Sequence, residues 1–484
     1  MCEPAKNGSP VRNQGIRGGN SNVLTLVTHA QVMALCRLVG DALRRYTMTP
    51  TYQQCRGVLP LSLLTGLGFM AMGCGANKGG PTEITYWTGW SGHEFGIQQG
   101  LVDQFNRTHP GIHVRLISQF GNSGYQKVRI AFAGDATPDL MSTVWADELA
   151  DYAQRGVLTP LDDYLARSKR DFDKEYVPAL RSSLRVDGKI YALAVTTDTS
   201  FIVFNKQIFR EVGLDPNRPP TTPDELLRAS KACTNTRPDG GLIRYGFRPS
   251  DLRTWAHVFG GDWYDPSTKR ITANDPHNVE ALKWMCAFNS FLDPRRAEAF
   301  QATFGNEKTT SGPFFVGKIA MWQTGEWAGE YLKRYGPNVE YGYFPLPAPP
   351  GGRPNSSYVN GSVFVIPKAS SHKKEAWEFL NWLTQEEPVR IFCSTIGNVP
   401  PLVSVGEAPR FKNDPLFRFA VGLSRGKTGF GPPGISMWST YSSEISRAEE
   451  KATIGGEDPK AVLDDLQKRM EKEFAETNED LGRG

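Results

Sequence analysis

What this chain lacks narrows its chemistry. Its 7 cysteines, Cys2, Cys36, Cys55, Cys74, Cys233, Cys286 and Cys393, include no CxxC pair, and no histidine interleaves with them at zinc spacing. The sequence therefore gives a metal site no support. The cysteines beyond Cys74 are odd in number, so they cannot all pair with one another. One disulfide with one free thiol, or buried free thiols throughout, both stay open. An excess of one charge is missing too: 55 Lys and Arg against 51 Asp and Glu leave a net +4, scattered along the chain. That balance gives no footprint for a nucleic acid. No GxSxG nucleophile elbow occurs. In HPGIH, His109 and His113 lie across a Pro–Gly break and do not share a helix face as an HExxH pair would. GPFFVGKI, from Gly312, imitates a phosphate loop, but no Ser or Thr follows Lys318 and its interior is bulky, so a strand is the better reading. The apolar run GVLPLSLLTGLGFMAMG, from Gly57, is too short to span a bilayer comfortably with Pro60 and its glycines.

That run is nevertheless the first positive feature. Arg56 precedes it and small residues close it, as in a secretory signal. Ala71-Met72-Gly73-Cys74 resembles the bacterial lipobox, whose cysteine is acylated and becomes the mature N-terminus, although Ala71 stands where that pattern more often has Leu. GANKGGPTE then reads as a flexible tether. Residues 1–73 are expected to be leader and signal peptide, with Met48 as the simplest true start, and 74–83 to be a lipoprotein tether. Two or more acyl chains on Cys74 give stable membrane anchoring.

Beyond the tether, strand and helix patterns alternate. EITYWTGW from Glu83 reads as a strand, GIQQGLVDQFNRTH as a helix stopped by Pro110-Gly111, and IHVRLIS as a half-buried strand. A helix over YQKVRIAFAG, a strand over LMSTV and a helix over DELADYAQRGVL follow. This order points to βαβ units and a mainly parallel sheet. DGKIYALAVTTDTSFIVFNKQIF reads as a turn and then one long extended run, able to leave one lobe and enter another. PLPAPPGGRPNSS, rich in Pro, Gly and Ser, looks like a second crossing. Near the C-terminus, Asp458-Pro459 starts a helix with apolar Val462, Leu463, Leu466 and Met470.

Taken in order, FNRTHPGIHV, AGDATPDL, LADYAQRGVLTPLDDYL, DGKIYALAVTTDTSFIVFNKQIFREVGLDP, PTTPDELLRASKACT, FVGKIAMWQTGEW and VIPKASSHKKEAWEFLNWL resemble the extracellular solute-binding proteins of bacterial ABC importers, in the cluster that includes maltose-binding protein. The resemblance runs from Glu83 to Phe474. It implies a two-lobed periplasmic-binding-protein fold of α/β class, with mainly parallel central sheets and a hinge of crossing strands. Lobe 1 would combine 84–198 with 360–428, and lobe 2 would combine 199–345 with 429–484; 346–359 would be a crossing between them. It further implies a monomer without enzymatic activity or cofactor, extracytoplasmic and lipid-anchored to a bacterial membrane, on the periplasmic side or the cell surface. Such a protein captures a carbohydrate by lobe closure and delivers it to ABC importer permease subunits.

A sugar site needs flat aromatics for ring faces and carboxylates, amides or arginine for hydroxyls. In parallel α/β sheets such groups stand just beyond the carboxyl ends of strands. That search gives Trp90 and Glu94 in TGWSGHE, Trp145 and Asp147 after LMSTV, and Asp198 in TTDTS. Each also has a purely structural reading as turn, staple or cap. From lobe 2 come Trp255, Trp263, Glu326 and Trp327, with Trp438 in SMWST. The resemblance places an aromatic against the sugar at the MWQTGEW turn, which makes Trp327 the leading candidate. Trp284, Trp377 and Trp382 lie at helical spacing among apolar neighbours and are expected in the core. Two alternatives stand beside the sugar reading. One is a binding protein for a glycerol-phosphate-like polyol phosphate, which would want an arginine such as Arg248 or Arg253. The other is a secreted carbohydrate-active enzyme using two of the acids, although no motif selects such a pair.

Overall fold

A computed structural model of the chain describes residues 80–482, apart from positions 120, 135 and 306. The expectations for the leader, the signal peptide and Cys74 lie outside the described residues.

The first sheet is built from alternating elements. Strand β1 (Thr82–Thr88), helix α1 (Gly92–Thr108), strand β2 (Ile112–Ser118), helix α2 (Asn122–Ala133), strand β3 (Leu140–Trp145) and helix α3 (Ala146–Gln154) follow one another. β1 pairs in parallel with β2 on one side and β3 on the other. Two later strands complete the sheet: β4 (Leu193–Ala194) and, far along the chain, Ser362–Val365, which runs antiparallel between β3 and β4. The whole of β3 is buried except Trp145 at its end, as expected of a central strand covered on both faces.

The long extended run expected after Asp187 is broken in the structure. β4 belongs to the first sheet, and strand β5 (Phe201–Asn205) belongs to a second one. Between them Thr197 bridges to Val399 and Asp198 to Asn360. The chain changes hydrogen-bonding partners here, and one continuous strand cannot serve both sheets. Helix α4 (Leu252–Phe259) follows, then strand β6 (Met321–Thr324), helix α5 (Ala328–Tyr335) and strand β7 (Tyr341–Phe344). β6 and β7 flank β5, and both run antiparallel to it. Parallel pairing among the main strands is thus confined to the first sheet. The strand expected over FVGKIAM begins only at Met321.

The crossing segment carries strand β8 (Ser357–Tyr358), followed by β9 (Ser362–Val365), the inserted strand of the first sheet. Helices α6 (Glu386–Ile396) and α7 (Pro415–Arg425) come next, and strand β10 (Gly429–Phe430) pairs in parallel with β8. Helices α8 (Trp438–Thr453) and α9 (Pro459–Asp480) close the chain. Asp458 caps α9 by accepting from the Ala461 N–H, and the helix buries Val462, Leu463, Leu466 and Met470, the apolar positions expected from the sequence.

Two apolar cores result. One gathers the first sheet with α1, α3, α6 and α7. The other gathers α4, α8 and α9 around one face of the second sheet. β5 serves both by its twofold alternation: Phe201 and Val203 enter the first core, Ile202 and Phe204 the second. Trp284 and Trp377 are buried, and Trp382 is half-buried against Phe105 and Phe379. Cys233, Cys286 and Cys393 are free thiols, which settles the question left open for them.

Candidate functional site

The parallel strands β1 and β3 end side by side, and the chain beyond each turns into a helix. Trp90, Ser91 and Glu94 lead into α1, and Trp145 leads into α3. These ends line a cavity of about 170 Å3 together with Gly89, Ser142, Ser362 and Lys308. The structure thus brings together Trp90, Glu94 and Trp145, three of the residues expected from the sequence. Lys308, on the segment between α4 and β6, completes the wall. Ligand pockets usually occupy roughly 300–1,000 Å3, so this cavity is smaller than a whole pocket of that kind.

The floor beneath is a buried polar network. Thr88 donates to Gln98 Oε1 at 2.6 Å and accepts from Ser142 at 3.2 Å, and the Tyr86 hydroxyl meets Ser142 at 2.7 Å. Thr88 also accepts from the Trp90 N–H at 3.2 Å, while the Trp90 carbonyl accepts from Ser118 at 2.9 Å. The indole itself packs edge-on to Phe392, centroids 5.6 Å apart. Burial pushes the Tyr86 phenol far above its ordinary range, so it remains a neutral donor. Trp90 is therefore held from both its backbone and its ring.

A second group forms around Asp147, on the first turn of α3. Its Oδ1 accepts from the Tyr358 hydroxyl and from Trp438 Nε1, the latter at 3.4 Å. Arg253 lies with its guanidinium 5.7 Å from the Tyr358 ring centroid, and donates to Asp251 at 2.7 Å and Ser442 at 2.6 Å. Trp438 is 2% exposed, so only its edge takes part. Arg248, the other arginine considered, instead pairs with Glu298 at 3.0 Å.

Asp198 and Glu326 meet at the crossing. Asn398 Nδ2 donates to both, at 3.0 Å each. Glu326 has no exposed surface, and it also accepts from the Thr199 N–H at 3.0 Å, the Thr199 hydroxyl at 2.8 Å and the Val399 N–H at 3.3 Å. Burial raises both carboxyl pKa values above the ordinary range, and the neighbouring Asp198 charge raises Glu326 further. Glu326 was expected to face a ligand, but its acceptor positions are filled by the protein. It acts here as a knot between the crossing strand, the β6–α5 turn and the loop after α6.

Trp327 follows directly, half-buried at the start of α5. Its ring folds across Gly325 so closely that a Cβ there would lie 2.2 Å from it. Trp255 departs from expectation. It is 0% exposed in the second core, with its ring 4.5 Å from that of Trp284 and its Nε1 on Gln323. A stacking face is not presented there, because both sides of the indole are already covered. Trp263 is likewise buried, its Nε1 donating to the Arg253 carbonyl at 3.3 Å; it supports Arg253 from behind. Sequence reasoning missed Ser142, Ser362, Lys308, Tyr358 and Asn398, which reach these groups through contacts remote in the chain.

Two cores joined by crossing strands, with polar and aromatic groups gathered at strand ends, match a known family. Residues 92–389 fit the model for bacterial extracellular solute-binding protein. The chain belongs to that family. It is 24% identical over 350 residues to the maltotriose-binding protein of Pyrococcus abyssi, covering 71% of this chain and 70% of that one. It is 22% identical over 433 residues to the sn-glycerol-3-phosphate-binding periplasmic protein of Brucella abortus, covering 85% and 97%. Among solved structures, CpMnBP1 with mannotriose bound superposes with a TM-score of 0.72 at 27% identity, over 80% of this chain and 99% of that one.

Proposed function

We propose that this solute-binding protein captures an oligosaccharide in the cleft between its two lobes and hands it to the permease subunits of an ABC importer. The observation that carries this reading is the convergence of Trp90, Glu94 and Trp145 at the carboxyl ends of β1 and β3. Two indoles offer ring faces, and the carboxylate with the flanking serines offers hydroxyl partners. The expected lobes, 84–198 with 360–428 and 199–345 with 429–484, would close on the ligand; the cores follow them only in part, since Phe314, Ala328 and Leu332 of the second range pack into the first core. Acylation of Cys74 would hold a monomer to a bacterial membrane on its extracytoplasmic side.

A polyol phosphate is the second reading, because one relative is a glycerol-phosphate-binding protein. Arg253 argues against it. Its guanidinium already carries Asp251 and Ser442, and a phosphate would have to displace a partner carboxylate. The test is a thermal-shift series with maltotriose, mannobiose, mannotriose and sn-glycerol 3-phosphate. A sugar at 100 times its dissociation constant should add about 2.7 kcal/mol of apparent stability. Solution scattering should show compaction with the same sugar, and chromatography should return it unchanged. A shift with glycerol phosphate alone, or turnover of a sugar, overturns the proposal.

A further inference from the structure

Tyr358 stands on the crossing segment, between a helix of each core. It ends β8, and its ring meets that of Phe430 on the paired strand β10 at 5.2 Å, with the planes 68° apart. Its hydroxyl donates to Asp147 Oδ1 on α3, in the first core's helix layer. Its face carries the guanidinium of Arg253 from α4, in the second core's layer. One side chain on the hinge therefore holds a carboxylate at its hydroxyl end and a cation over its ring. Arg253 is itself held by Asp251 and Ser442.

Asp147 shows the consequence. Tyr358 and Trp438 both donate to Oδ1, and Oδ2 makes no hydrogen bond with another described residue. A carboxylate fixed through one oxygen presents the other in a set direction. Asp147 is half-buried and follows by two residues Trp145, which lines the cavity at the end of β3. We propose that Tyr358 is a positioning residue for sugar capture, which aims Asp147 Oδ2 at a ligand hydroxyl and so ties ligand contact to the crossing strands. The proposal rests on the reading of this cleft as a sugar site.

A double-mutant cycle tests it, with maltotriose and mannotriose as titrants in calorimetry. Tyr358→Phe keeps the ring, the Phe430 contact and the Arg253 contact, and removes only the donor. It should weaken the sugar that binds the wild type by about tenfold, the scale of a hydrogen bond to a charged group. Asp147→Asn should weaken it by at least as much, and the double variant should be no weaker than Asp147→Asn alone. A merely structural tyrosine would lower Tm and give additive losses, so additivity overturns the proposal, as does an unchanged affinity for Tyr358→Phe. Should Tyr358→Phe not fold, Trp438→Phe removes the other donor to the same oxygen and must show the same non-additivity with Asp147→Asn. If the wild type binds neither sugar, the sugar-site reading itself has failed, and the proposal falls with it.

Discussion

Replacing Glu326 by Gln removes one proton-exchanging group from the crossing and should change how stability depends on pH. In the folded chain, burial and the Asp198 charge push the Glu326 pKa from 4.5 up to about 8. The native state then holds a proton that the unfolded chain has already released, so stability falls as pH rises between those two values. The stabilising contribution is fully present below about 4.5 and gone above about 8. A gap of about 3.5 pH units (8 − 4.5), at about 1.4 kcal/mol each, sets a ceiling of ~5 kcal/mol. Asp198, raised to about 6, and Glu449, raised to about 7, slope the same way over lower windows. The variant exchanges no proton at 326. It keeps an acceptor for Asn398 and Val399 but sets an amide N–H against the Thr199 N–H, which costs about 1–3 kcal/mol. Scanning calorimetry from pH 5 to pH 8.5 should show wild-type Tm falling more steeply than that of Glu326→Gln. The variant should be the less stable at pH 5, and the two curves should cross before pH 8, because a wild-type loss approaching ~5 kcal/mol exceeds the amide's cost of about 1–3 kcal/mol. Parallel curves would refute the assignment of a raised Glu326 pKa.

The remaining predictions separate binding from folding and from export. Trp327→Ala should weaken the identified sugar about tenfold, since a partly covered indole supplies on the order of 1–2 kcal/mol, while its Tm stays near wild type. Trp284→Ala, by contrast, empties a place ringed by Trp255, Phe259 and Phe288 and should cost about 3–5 kcal/mol of stability before any loss of affinity. Unchanged sugar affinity in a folded Trp327→Ala protein would remove that residue from the site. In a bacterium fed labelled fatty acid, wild type should be tagged and Cys74→Ser not; a version starting at Met48 should be exported equally well, and blocked export would disprove that start.

Local pattern carried much of the fold. IHVRLIS became β2 over the same residues, and the apolar spacing after Asp458 became the buried stripe of α9. In both, the signal lies within one element and reports which face meets a core. The run through TTDTS was misread because its apolar and β-branched content fits a strand. What breaks it is a change of partners, with Asn360 and Val399 taking over, and those residues are remote in the chain. The site divides in the same way. Trp90, Glu94 and Trp145 follow strand ends, a position that periodicity exposes. Trp255 and Glu326 have no such marker of depth. A tryptophan in a core and one in a cleft are the same letter, and only the packing of Trp284 on one and the four donors around the other tell them apart.

The placement of polar bonds also says where the lobes can turn. β5 is anchored on both faces, with Phe201 and Val203 in one core and Ile202 and Phe204 in the other, so bending it would open apolar contacts on both sides. Upstream, Thr197 and Asp198 are held by single backbone bonds to Val399 and Asn360, at 2.9 Å and 2.8 Å. Hydrogen bonds of this kind exchange with water at a net cost of about 1 kcal/mol, well below that of exposing a phenylalanine. Gly361 lies against the same stretch, where a Cβ would stand 2.3 Å from the Thr196 carbonyl oxygen, so the two crossing strands approach more closely than any side chain permits. We expect rotation between the cores to centre on 197–198 and 360–361, because Thr199 and Ser200 are tied to Glu326 and Ser357. Tyr358 precedes the second of these by two residues. A ligand that engaged Asp147 as proposed would act on a side chain bonded to Tyr358, two residues from the second crossing.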